Sequence, residues 1–233
     1  MALPVITVDN FSGWVKIVAN QFKEQDLEEY ITLFREQYLR QIVGDAAYSD
    51  ISTQVRQKWD DLLNGVNYVD VDGKRKYHNG FVKSLIRFIY FEFIRDNFTS
   101  TQPGKVKGRS ENSDRSTELE TSNVAVSRYN HGVILINDST GPFLEANKEF
   151  KEGVTSSTDN ADNTYTLAIP NTKYLEAGDT LTVNDVEYTA ISVTANTNVV
   201  IDAGQTGLDF TGDFVIWEPY KDVEFCELEP SGI

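Results

Sequence analysis

The amino-acid sequence predicts an α+β protein. An N-terminal helical bundle of about four helices fills residues 1–153, a small all-β barrel or sandwich residues 154–219, and a tail residues 220–233. Three observations carry this division. Apolar residues between 26 and 137 recur at helical spacing. One twenty-residue stretch, 79–98, is apolar around most of its circumference. Beyond Gly153, Thr, Asn, Asp, Val and Tyr dominate and apolar residues alternate with period two.

Residues 1–24 are mixed, with Trp14, Val15, Ile17, Val18 and Phe22 available to pack on a core. The first helix is expected over 26–43. Asp26 and Glu29 have the form of a capping box, and Leu27, Tyr30, Ile31, Phe34, Tyr38 and Ile42 share one face. Gly44 stops it at the favoured position. A second helix is expected over 50–64, carrying Ile51, Val55, Trp59, Leu62 and Leu63, with Gly65 ending it. Asp72-Gly73 then reads as a two-residue hairpin turn. Asp70 and Asp72 open like a calcium loop, but Gly73 comes too early and no glutamate closes the pattern.

The stretch NGFVKSLIRFIYFEFIRDNF, residues 79–98, holds eleven large apolar or aromatic residues, and Asn79 can cap it. A membrane crossing needs about 20 apolar residues. Lys83, Arg87, Glu92 and Arg95 leave no uncharged run longer than four residues. Each charge at mid-bilayer would cost at least ~2.5 kcal/mol. The stretch is therefore a buried central helix, with Phe81, Leu85, Phe88, Ile89, Phe91 and Ile94 as its core residues.

Residues 99–123 are rich in Ser, Thr, Gly and Asn, with almost no large apolar groups, so the segment cannot offset its own ordering entropy. This polar arm, at about 99–116, holds Lys105, Lys107, Arg109 and Arg115. It is either a surface loop or a segment ordered by a neighbouring subunit or partner, and its four basic residues are the candidate interface. Helical spacing returns over 116–137 with Leu119, Val126, Val133 and Ile136. The run 138–142 breaks it, and Pro142 then opens a short helix carrying Phe143, Leu144, Ala146 and Phe150. Strands are expected at 164–169, 180–183, 186–194, 199–201 and 214–217, with Asn184-Asp185 as a tight hairpin.

The formal charge is −15, from 36 acidic and 21 basic residues. That argues against general binding of nucleic acid, which needs basic surface to displace counterions. Cys226 is the single cysteine, so neither a disulfide framework nor a cysteine-based zinc cluster is available. The N-terminus lacks a basic region followed by an apolar run, so no secretory signal is expected. His78 and His131 stand in no metal-binding spacing, and no nucleophile elbow or phosphate-cradling glycine loop occurs. No cofactor, metal or catalytic residue is expected, and the chain is read as a non-enzyme.

The order ITLFREQYLRQIVGDAAYSDI, a helix ending LLNG, then YHNGFVKSLIRFIYFEFIRDN, GKVKGRSENS and SRYNHGV resembles a group of tailed-phage proteins. These are the small helical head–tail connector or adaptor proteins encoded near the portal gene, including those of crAss-like phages. The resemblance covers about residues 25–150 and leaves the β module outside it. It implies a virion neck protein that forms a ring, typically of twelve copies, beneath the portal. The ring would extend the DNA channel, let DNA pass without specific binding, and dock the next neck or tail protein. A different class of reading is a virion-surface binding module, in which Tyr165, Tyr174, Tyr188 and Trp217 would present an aromatic patch to a glycan or a protein.

Overall fold

The computed structural model describes residues 6–14, 24–98 and 118–231. Among these there are six helices: α1 (Val8–Trp14), α2 (Glu24–Val43), α3 (Asp45–Thr53), α4 (Gln57–Asn64), α5 (Val82–Phe98) and α6 (Glu118–Ala146). A hairpin of β1 (Val66–Val69) and β2 (Arg75–His78) links α4 to α5. The remaining strands are β3 (Phe150–Gly153), β4 (Ser156–Asp159), β5 (Thr164–Ala168), β6 (Thr180–Val183), β7 (Val186–Thr194), β8 (Asn198–Asp202) and β9 (Phe214–Trp217). They form one antiparallel sheet in the order β3-β9-β6-β7-β8-β5-β4. The fold is thus mixed helix and sheet, with six helices rather than about four. The sheet curls into a half-barrel, neither a closed barrel nor a sandwich.

The central helix owes its position to its burial. Phe81, Leu85, Phe88, Ile89 and Phe93 are fully buried and Ile94 nearly so, while Phe91 is half-buried against the Tyr129 ring. α5 packs on α2 on one side and on α6 on the other. Its approach to α6 is close: a Cβ on Gly132 would lie 2.7 Å from a Phe88 ring carbon, and Ser84 donates to the Gly132 carbonyl at 2.9 Å. The helix starts at Val82, so Asn79 lies before its first turn rather than capping it. α2 is already helical at Glu24, which places Asp26 inside the helix and not at its cap.

Two expected helix boundaries move for tertiary reasons. The span 50–64 is not one helix, because Gln54 and Arg56 are extended between α3 and α4. Val55, which the helical period assigned to the core, is 81% exposed, and the break lets Trp59, Leu62 and Leu63 turn inward. α6, in contrast, runs unbroken through Gly141-Pro142 to Ala146. Proline costs that helix a hydrogen bond. Continuity carries Phe143 into full burial, stacked on His78 at 4.5 Å and edge-on to Tyr68 and Tyr220. Phe150, expected on a helix, begins β3 and pairs with Trp217.

The sheet follows the period-two rule on its inner face. Tyr165 and Leu167, Leu181 and Val183, Val199 and Ile201, Val215 and Trp217 are all buried. Asn184 and Asp185 have φ of 52° and 65°, the left-handed pair that a type I′ turn requires between β6 and β7. The β1–β2 connection is longer than the expected two residues. It spans 70–74, where the Asp70 carboxylate accepts the backbone N–H of Asp72 and of Lys74. Strands β3 and β4 lack alternating apolar residues and exist through their pairing with β9 and β5.

Candidate functional site

The basic candidates of the arm, Lys105, Lys107, Arg109 and Arg115, lie outside the described residues. What the structure brings together are two features that sequence spacing did not reveal: a buried charged joint and a groove holding the C-terminal tail.

The joint ties the helical body to the sheet. The Arg56 guanidinium, about one-tenth exposed, pairs with Asp179 and lies 3.8 Å from Asp50 and 4.0 Å from Glu176. The Lys58 ammonium is 3.9 Å from both Asp50 and Asp179. Asp50 also accepts the Trp59 indole N–H at 2.7 Å. Glu176 accepts the backbone N–H of Gln57 at 3.1 Å, so a residue of the β module satisfies a free donor in the first turn of α4. Burial pushes the Lys58 ammonium down from its ordinary value, against the pull of Asp179. Beside it, Tyr174 donates to Asp61 at 2.6 Å and Tyr220 donates to the Lys58 carbonyl at 3.0 Å. Each of these groups has its charge or proton satisfied by a neighbour, which is the chemistry of a rigid joint.

A buried acid also lies on α5 itself. Glu92 accepts the Tyr38 hydroxyl at 2.5 Å and pairs with Arg95 at 2.5 Å. Arg87 donates to the Lys83 carbonyl at 2.6 Å, and Lys83 lies over the Tyr77 ring.

Three hydroxyls in these clusters give a pH dependence. Burial raises the pKa of Tyr38, with Glu92 adding to it; it raises Tyr174, with Asp61 adding; and it raises Tyr220, with Tyr174 adding. The unfolded chain loses these protons near pH ~10. The folded chain keeps them, so their contribution is complete below that pH and declines above it. Lys58 and Lys173, whose ammonium groups burial pushes down, act in the opposite direction, while Tyr90 and Tyr129, also raised by burial, add to the three. Urea unfolding at about pH 9 and about pH 11 is expected to show a lower midpoint at the higher pH. Phenylalanine at positions 38, 174 and 220 is expected to flatten the difference.

The tail is laid over the helical body. Tyr220 is buried beneath Trp59, Phe143 and Tyr174. The chain then passes the end of α2, where the Glu224 and Cys226 N–H groups donate to the carbonyls of Val43 and Ile42 at 3.0 and 3.1 Å. Those carbonyls lie in the last turn of α2 and have no partner within the helix. Gly44 is needed at this crossing: its φ is +81°, and a Cβ there would lie 3.0 Å from the Glu224 Cβ.

Beyond the crossing, two asparagines of α6 grip the tail backbone. Asn137 donates to the Leu228 carbonyl at 2.9 Å and accepts its N–H at 3.2 Å. Asn130 does the same to Ser231, at 3.2 and 2.8 Å. Seven helical residues rise about 10 Å, and three extended residues cover about 10 Å, so the two clamps match the tail's own repeat. Leu228 is 4% exposed in a socket of the helical core. The signal in the sequence was the pair of asparagines two helical turns apart, a residue type that disfavours helix interiors unless its amide bonds outward.

Of the aromatic residues named for surface binding, Tyr165, Tyr174 and Trp217 are buried and Tyr188 packs on the sheet core. Among the described residues, no three His, Cys, Asp or Glu side chains group to hold a metal ion. No helix among them is long and apolar enough to cross a membrane. No family model matches the chain, and neither does any curated protein or any solved structure.

Proposed function

We propose that this protein is a structural ring component of a tailed-phage neck, seated below the portal. The observation that carries the reading is the order of helices in the segment that resembles phage connectors. ITLFREQYLRQIVGDAAYSDI spans parts of α2 and α3, LLNG closes α4, and the stretch from Tyr77 to Asn97 forms the end of β2 and nearly all of α5. These elements share one hydrophobic core, with α5 at its centre. The chain's function is assembly rather than catalysis, and its partners are further copies, the portal protein and a downstream neck or tail protein.

The charge of −15 suits a channel that DNA must traverse without sticking, because like charge prevents close phosphate contacts. A closed ring needs two different lateral faces that meet by rotation. The arm at about 99–116, with Lys105, Lys107, Arg109 and Arg115, would give one face a basic element for an otherwise acidic neighbour.

The test is to incubate the purified protein with its cognate portal protein and image the mixture by electron microscopy. A ring stacked on the portal is the expected result. A protein that stays monomeric at high concentration and fails to bind the portal overturns the reading. Deleting residues 101–113 is expected to leave the circular dichroism and melting temperature unchanged while abolishing ring formation. Normal assembly of that variant would remove the arm from the interface.

A further inference from the structure

We propose that the groove formed by the end of α2 and the face of α6 is a peptide-binding site, and that its exchangeable occupant is the C-terminal segment of a second copy of this chain. The inference does not depend on the neck reading, since it rests on the tail's own contacts.

The groove recognises an extended backbone rather than a particular sequence. Val43 and Ile42 offer carbonyls, Asn137 and Asn130 each offer one donor and one acceptor, and all six bonds go to main-chain atoms of the tail. One side-chain socket, filled by Leu228, sets the register. Main-chain bonding with a pocket for a single side chain is how domains take up extended peptides from other chains.

Three further observations favour exchange. The tail beyond Tyr220 pairs with no strand of either sheet, so it can leave without disturbing them. Among the described residues of the tail beyond Tyr220, Leu228 is the one buried side chain, while Val223 and Phe225 are partly covered. An emptied groove leaves the α2 carbonyls and the Asn amides unpaired. Only an extended segment restores them, and an identical copy carries the same segment. Only a short connection separates the anchored Tyr220 from the first groove contact at Glu224, and such short hinges favour swapping over refolding in place.

The test uses full-length chains in which Cys226→Ser removes the native thiol. One population carries Asn130→Cys and the other Ser231→Cys, so a tail seated in another copy's groove places the two thiols side by side and raises disulfide formation above the level from random collision. The expected result is a covalent dimer several-fold more abundant than when Ser231→Cys is mixed with a chain bearing Glu187→Cys on the exposed face of β7. As a second measurement, a fluorescent peptide of residues 223–233 is added to the wild-type chain and followed by anisotropy. Saturable uptake, lost on Asn137→Ala, is expected. Uptake without covalent dimer overturns exchange between copies. The absence of both overturns the site as well.

Discussion

Replacing Asp179 with alanine is expected to destabilise the protein by about 3 kcal/mol, because it leaves two buried cations with Asp50 as the acid they still share. Arg56 and Lys58 are each about one-tenth exposed or less, and both approach the same two acids, Asp179 and Asp50, with Asp179 the nearer to Arg56. Its other oxygen accepts the backbone N–H of Glu176 at 2.9 Å, so the turn that presents Glu176 to α4 would loosen too. Urea denaturation with a tryptophan signal checks this, since Trp59 and Trp217 both lie beside the joint. Arg56→Leu in the Asp179→Ala background is expected to recover part of the loss, because one of the two under-compensated charges is then gone. A double-mutant cycle between positions 56 and 179 that returns no coupling would show that the joint is held by packing alone.

Phe88→Ala is expected to cost about 3–5 kcal/mol, as for other fully buried phenylalanines. The ring touches Tyr38 and Tyr129 at centroid distances of 5.0 and 4.9 Å and lies against Gly132, so α2, α5 and α6 would all lose a contact. Phe91→Ala is expected to cost clearly less, because that side chain is half-buried and covered mainly by Tyr129 and Arg95. Equal losses at the two positions would contradict the placement of α5. The comparison is sharper than either variant alone, since both remove the same atoms from the same helix.

Much of the helical body was legible because its signals are local. The apolar face of α2 from Leu27 to Ile42, and the density of aromatics in α5, each demand burial whatever the neighbours are. The strand alternation from Tyr165 to Trp217 and the Asn184-Asp185 turn are equally local, one a matter of pleat and the other of backbone conformation. The candidate site was far less legible. Arg56 and Asp179 are 123 residues apart, and Asn137 and Leu228 are 91 apart, so no spacing rule links them. The asparagines of α6 carried a faint signal; the carbonyls of Ile42 and Val43 carried none, since every helix ends with free carbonyls.

By itself, then, the sequence determined which stretches must be buried and with what period: a helical half with an all-round apolar helix at its centre, and a β half. Tertiary structure decided where the elements begin and end. The 50–64 segment breaks at residues 54–56, where Arg56 turns to reach Asp179 and Val55 is left in solvent. α6 continues through Pro142, and Phe143 lies stacked on His78 with Tyr68 and Tyr220 edge-on to it. The physical reason is one of magnitude. A local boundary preference is worth about 1–3 kcal/mol. Burying a large aromatic ring or pairing a desolvated guanidinium is worth as much or more, so the contact sets the boundary wherever the two disagree.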